Sequence, residues 1–278
     1  MVNALPEVWP ARVRARVMGR LRVLAWEYAG DEIALCTPLT AFRTARKGYD
    51  HEDAAREAIA NVVGHTQLSY ERLATLYEQV VYLERRRLPG ALVECGVWRG
   101  GAAAMMAQAN LAEGRERRAL HLFDSFEGMP EPRPDVDGPE AMQLMAQGAR
   151  QRSAVNAAAP EEALELIVNR IGYPEPFVHV HKGWFQDTLP RDRDGLGAIA
   201  LLRIDGDWYE STRVVFETLY DLVTPGGVIV IDDYGHFEGC RRATNEFLAA
   251  HAPDAYLHHI DYTGRYLIKA GGDREHDS

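Results

Sequence analysis

Five short apolar runs, at residues 91–95, 120–123, 177–181, 198–204 and 228–231, alternate with stretches of helical spacing, which leaves few folds open to this chain. A parallel sheet with helices on both faces buries its strands on both sides, so its strands read as near-continuous apolar runs. The chain is therefore expected to be α/β. Helices are expected at 101–112, 211–222 and 239–250, a turn at Thr224-Pro225-Gly226-Gly227, and two last strands near 256–260 and 265–269. Ahead of the sheet, residues 1–88 read as a mainly helical extension, because Leu68, Leu73, Leu76, Val80 and Leu83 recur at helical spacing until Pro89-Gly90. The sheet domain then spans 89–270. Within it, 127–176 is too long for an ordinary connection: it is rich in proline and acid at 131–138 and helical in pattern at 140–151 and 161–171. Such insertions at the active edge of a sheet often act as lids. Residues 271–278 form a polar tail expected to be disordered.

Two of the apolar runs end in acid. Asp205 closes one, and Asp232 and Asp233 close another. Ligands of an open α/β sheet sit outside the carboxyl ends of the strands, so neighbouring strands would bring these three carboxylates to one crevice. Carboxylates about 4 Å apart repel by roughly 4 kcal/mol per pair at an effective dielectric near 20, and a divalent cation reverses that. An all-oxygen set suits Mg²⁺, Mn²⁺ or Ca²⁺ better than zinc. The plainer alternative is that Asp232 and Asp233 cap the next helix and Asp205 faces solvent.

Composition narrows the class. A formal charge of −10 argues against a sequence-independent nucleic-acid binder. Cys36, Cys95 and Cys240 lack the spacing of a metal site or a disulfide framework, which fits a reducing cytoplasm. Arg12, Arg14, Arg16, Arg20 and Arg22 break up the first segment, and no run approaches the length that spans a bilayer. An acidic cytoplasmic enzyme is expected, with neither nucleic acid nor membrane as partner.

Glu94-Cys95-Gly96-Val97-Trp98-Arg99-Gly100-Gly101 follows the first strand and opens a helix. Glycines there let backbone approach a ligand, and the helix start offers free N–H groups. The dinucleotide spacing is absent, and so is the lysine of a phosphate loop. With Glu94 beside it, the loop suits an amino-acid-bearing nucleoside. Asp124, at the end of the second strand, has the place of an acid that binds ribose hydroxyls, or it caps the turn with Ser125. Gly183-Trp184-Phe185-Gln186-Asp187-Thr188 follows the third strand; its aromatics either wall an adenine or simply pack. His179 and His181 share a face of that strand and read as structural.

Taken in order, these blocks resemble the macrocin and mycinamicin sugar O-methyltransferases, the TylF family. The resemblance is carried by Leu88-Pro89-Gly90, the run from Glu94 to Gly101, Asp124-Ser125-Phe126-Glu127-Gly128-Met129-Pro130, the run from Gly183 to Pro190, Arg203-Ile204-Asp205-Gly206-Asp207-Trp208-Tyr209-Glu210-Ser211-Thr212, and Asp232-Asp233-Tyr234. It implies a class I methyltransferase fold: a Rossmann-like, seven-stranded, mostly parallel sheet with an antiparallel last strand. It implies S-adenosylmethionine as cofactor, with Glu94, Gly96, Val97, Arg99, Gly100 and Gly101 at its methionine part. Asp124, Ser125 and Phe126 would be at the ribose, and Gly183, Phe185, Asp187 and Thr188 at the adenine. Asp205, Asp232 and Asp233 would hold Mg²⁺ or Mn²⁺. His65-Thr66-Gln67-Leu68-Ser69 resembles the family's cofactor-covering segment, which puts Thr66, Gln67 and Ser69 near the cofactor, although glutamine and serine replace the family's methionine and glycine.

A sugar hydroxyl needs help to lose its proton, and a bound cation lowers the pKa of what it ligates. Asp205 is the expected base. Catechol methyltransferases place a lysine three residues after the first aspartate, where this chain has Trp208. His236, three residues after Asp233, is the competing base. The expected acceptor is a glycosylated small molecule, and the enzyme is expected to be a homodimer or higher homo-oligomer. The alternatives are a catechol or phenol methyltransferase, a nicotinamide-dependent oxidoreductase and a non-catalytic binding module.

Overall fold

In the computed structural model, the described residues are 48–151 and 155–271. The expectations for 1–47 and for the tail beyond 271 lie outside them. Two helices come first, α1 (Glu52–Val62) and α2 (Tyr70–Arg86). Helix α2 buries Leu73, Leu76, Tyr77, Val80 and Leu83 on one face, each worth roughly 1.5–3 kcal/mol of transfer free energy when fully buried. Ser69 caps it by accepting from the Arg72 N–H at 3.1 Å. Arg87, in the left-handed region at φ 53°, ends it before Pro89.

The sheet follows: β1 (Ala91–Cys95), α3 (Gly101–Glu113), β2 (Leu120–Asp124), then α4 (Gly138–Gln151) and α5 (Pro160–Leu164) of the insertion. It continues with β3 (Val178–Lys182), α6 (Phe185–Asp192), β4 (Ile199–Ile204), α7 (Tyr209–Leu219), β5 (Val223–Ile231), α8 (Glu238–His251), β6 (His258–His259) and β7 (Arg265–Ile268). The spatial order is β3-β2-β1-β4-β5-β7-β6. Strands β1 to β5 pair in parallel, and β7 is antiparallel to both its neighbours. This is the class I methyltransferase sheet. One core lies beneath α1, α2, α3 and α5, the other beneath α6, α7 and α8.

Three local expectations differ from the structure. The sequence Thr224-Pro225-Gly226-Gly227 is a bulged stretch inside β5 rather than a turn before it. Gly226 takes φ 85° while its N–H bonds Lys269 O at 2.8 Å, so glycine's conformational freedom lets the strand bend and keep its partner. Residues 165–170 continue α5 as a π-helix, with Ile171 N–H bonded back to Leu166 O. The third strand begins at Val178, because Phe177 belongs to a 3₁₀ turn.

Candidate active site

The ladder runs past the ends of β1, β4 and β5 and levels them. Asp205 N–H bonds Cys95 O at 2.8 Å, Asp232 N–H bonds Ile204 O at 2.9 Å, and Gly96 N–H bonds Phe123 O at 2.9 Å. Gly96 takes φ 100°, and a Cβ there would lie 1.9 Å from Asp205 O. The glycine is what allows the first loop to lie against the fourth. Above these ends is a cavity of about 480 Å³. Gly96, Trp98, Asp124, Ser125, Trp184, Phe185 and Gln186 line one side of it; Asp205, Asp207, Trp208, Glu210 and Arg213 line the other, with Met129, Pro130 and Arg133 of the insertion.

On the first side the carboxylate of Asp124 is already engaged. It accepts from the N–H groups of Val97 (2.7 Å), Trp98 (2.8 Å) and Phe126 (2.6 Å). Ser125 Oγ donates to Gly128 O and accepts from Glu127 N–H. Both Trp98 and Phe126 have positive φ, 48° and 58°. Arg99 turns away to Glu162 Oε2 (2.8 Å) and Gly64 O. Gly100 lies under Ala163, and Gly101 is packed against His65 and Thr66, with its N–H on His65 O. Thr66 Oγ1 accepts from Leu68 N–H, and Gln67 Nε2 donates to Asn156 Oδ1. Ser69 Oγ donates to Asp261 Oδ2 at 2.6 Å. The covering segment therefore docks on α3, the insertion and the loop before β7. Gly183 N–H bonds Asp124 O, and Thr188 caps back on Trp184 O. Asp187 is exposed and is not a lining residue of the cavity.

Arg203, buried near the carboxyl end of β4, joins the two sides. Its Nη1 donates to Glu94 Oε1 (2.7 Å) and Asp205 Oδ2 (2.8 Å), and its Nη2 to Asp232 Oδ1 (2.7 Å). Arg72 of α2 holds the other oxygen of Asp232 and also reaches Asp261. Asp232 is thus flanked by two arginines. The carboxylates that gather are Asp205, Asp207 and Asp233, with ligand oxygens all within 4.8 Å of one another. Burial pushes all three above the usual carboxylate range; repulsion from Asp205 raises Asp207 further, and repulsion from Asp207 raises Asp233. Arg203 opposes the rise at Asp205. Asp233 Oδ2 is buried without a hydrogen-bond partner, and so is Glu94 Oε2. Burial pushes Glu94 up to about 8, against the pull of Arg203.

Trp208, at the position of the catechol enzymes' lysine, is 2% exposed and spends its indole N–H on Pro130 O at 2.8 Å. His236 packs edge-on against Phe237, outside the cavity lining, and burial lowers its pKa. His179 and His181 stack with His121 away from the site, and His181 bonds Asp192. Sequence gives Arg203 a place in a motif but no role, and gives Asp137 neither. The first had a signal, a lone cation inside an otherwise apolar strand. The second had none, since its role depends on contacts 72 residues apart.

The family model for macrocin O-methyltransferase (TylF) matches residues 34–269. The 8-demethyl-8-(2,3-dimethoxy-α-L-rhamnosyl)-tetracenomycin-C 4'-O-methyltransferase of Streptomyces olivaceus is 35% identical over 202 residues, covering 73% of this chain and 74% of that one. The demethyldecarbamoylnovobiocin O-methyltransferase of Streptomyces niveus is 34% identical over 80% of this chain and 84% of its own length. The solved structure of the O-methyltransferase NovP superposes with a TM-score of 0.66 at 34% identity, covering 74% of this chain and 83% of that one.

Proposed function

This chain belongs to the macrocin O-methyltransferase (TylF) family, and from that premise we propose that it methylates a hydroxyl of a deoxysugar carried by a natural product, using S-adenosylmethionine and a divalent cation. Its activity as an O-methyltransferase follows from the family; the sugar acceptor and the metal are our reading. The observation that carries this reading is the gathering of Asp205, Asp207 and Asp233, of which Asp205 and Asp207 line the cavity beside the glycine loop and Asp233 lies buried against them.

Both absent groups fit the residues present. Glu94 Oε2, buried and unpartnered, suits the cofactor's ammonium, and the missing Cβ of Gly96 leaves its backbone open to close approach. Three repelling carboxylates, one with a buried unpartnered oxygen, suit Mg²⁺ or Mn²⁺. Asp207 replaces Asp232 in the proposed ligand set, because Asp232 is engaged by Arg203 and Arg72. When bound, the cofactor supplies an electrophilic methyl and the cation lowers the pKa of a ligated hydroxyl.

The chain's own groups do the rest. Arg203 fixes Asp205 through Oδ2. Asp205 would take the acceptor hydroxyl's proton, and the methyl supplied by the cofactor would leave its sulfur for that oxygen, releasing S-adenosylhomocysteine. Asp205 lines the cavity and His236 does not, which favours the aspartate as base. Trp184 and Phe185 line the wall proposed for the cofactor, while Trp208 ties the insertion to the start of α7 through its indole N–H on Pro130 O.

The test is a mass-spectrometric methylation screen over deoxysugar glycosides and catechols, run with Mg²⁺ and with EDTA. Methylation of a glycoside that EDTA abolishes is expected. A clear preference for catechols would refute the sugar reading, and full activity in EDTA would refute the metal.

A further inference from the structure

We propose that Asp137, in the insertion, is a positioning residue that holds the turn carrying Asp207, so that docking of the insertion completes the acceptor side of the site. The proposal rests on the reading of Asp205, Asp207 and Asp233 given above. Asp137 is 2% exposed, and both its oxygens are in use. Oδ1 accepts from Tyr209 N–H at 2.7 Å, and Oδ2 accepts from Arg133 N–H at 2.6 Å. Its own N–H bonds Arg133 O at 2.9 Å, which closes the strap into a turn.

Tyr209 is the first residue of α7, and Trp208 before it supplies no side-chain cap. The helix therefore takes its cap from the insertion. The residues on either side are claimed in the same way. Trp208 Nε1 donates to Pro130 O, and Arg133 Nη1 donates to Glu210 Oε1 at 2.8 Å. Three consecutive residues at the start of α7 are thus bonded to one strap spanning residues 130–137.

Asp207 stands just before these anchors, at φ 57°, inside a tight turn where Trp208 N–H bonds Gly206 O. A side-chain-bearing residue in the left-handed region persists where its surroundings over-determine it. On the near side the turn is pinned by the Asp205 N–H bond to Cys95 O. On the far side it is pinned by the insertion. Helix α8 seals the arrangement: Gly239 packs so tightly that a Cβ there would lie 2.1 Å from Asp137 Oδ1 and 2.7 Å from Tyr209 N.

The experiment compares wild type with Asp137→Ala and Asp137→Asn. Hydrogen exchange is followed over residues 205–213, S-adenosylhomocysteine affinity is measured by calorimetry, and turnover is measured on a glycoside acceptor. Alanine should speed exchange over 205–213 at least tenfold and lower kcat/KM for the acceptor at least tenfold, while S-adenosylhomocysteine affinity stays within threefold. Asparagine keeps one oxygen for Tyr209 N–H but sets its amide N–H₂ against Arg133 N–H, so it should recover part of the loss and fall between alanine and wild type in exchange and kcat/KM. Unchanged exchange in the alanine variant would overturn the proposal. So would a loss of S-adenosylhomocysteine affinity as large as the loss of turnover, or an asparagine variant no better than alanine. Exchange and calorimetry need no acceptor. A wild-type chain that methylates no glycoside would therefore sink the substrate reading and still leave these two measurements to judge Asp137.

Discussion

The two walls of the cavity solve opposite problems. On the wall proposed for the cofactor, Asp124 collects three backbone N–H groups and so shapes the loops after β1 and β2, while Oε2 of Glu94 is left buried without a partner. On the acceptor wall, Asp205, Asp207 and Asp233 crowd together with raised pKa values, and an oxygen of Asp233 has no partner. The first wall is satisfied within the chain except at Glu94 Oε2, while the second carries crowded carboxylates that the proposed cation would balance. Arg203 stands between them, sharing one guanidinium among Glu94, Asp205 and Asp232.

Removing that shared cation is the strongest way to break the contrast, because it unbalances both walls together. Taking one partner from a buried ion pair costs about 3–5 kcal/mol. Urea unfolding of Arg203→Met should show a loss of that order. A change below about 1 kcal/mol would mean that the network is not holding the strand ends together.

A smaller effect separates the walls by pH. Glu94 sits at about 8 in the folded chain, against about 4.3 in an unfolded one. The neutral acid is therefore the stabilised form, so its contribution is present below the unfolded value and is lost as pH rises through 8. A ligand ammonium favours the carboxylate. Binding of S-adenosylhomocysteine should accordingly release a proton below pH 8, strengthen from pH 6 to 8, and level off above. Calorimetry in buffers of different ionisation enthalpy reads this directly, and Glu94→Gln should flatten the profile. A profile equally steep in that variant would remove Glu94 from the account.

The smallest effect falls on the acceptor wall alone. Trp208→Phe deletes the indole bond to Pro130 O and part of a buried ring, together worth about 1–3 kcal/mol. Thermal or urea unfolding should register that loss, with cofactor affinity unchanged. A matching drop in cofactor affinity would show that the walls are not separable.

The same contrast explains what could be read from the sequence. Strands β1, β2 and β4 and the glycine loop are local patterns, and their apolar runs, glycines and terminal acids lie in unbroken stretches of chain. The bulge within β5 was hidden because Pro225-Gly226-Gly227 carries turn chemistry, and only pairing with Lys269 keeps it in the sheet. The π-helix of 165–170 is apolar at helical spacing, and that pattern does not separate the two pitches. On the acceptor wall, sequence put Asp205 and Asp233 at strand ends. The allotment of Asp232 to the arginines depends on Arg72, which arrives from 160 residues away. Charge partners of that kind are set by tertiary packing, and no local rule carries them.

The most direct test of the central claim, that one wall holds the cofactor and the other performs proton removal, is Asp205→Asn assayed for both properties in one preparation. Turnover should fall at least about a thousandfold, within the range expected for loss of a general base, while the S-adenosylhomocysteine dissociation constant stays within about threefold of wild type. Near-normal turnover, or a loss of cofactor affinity in step with the loss of turnover, would contradict the claim.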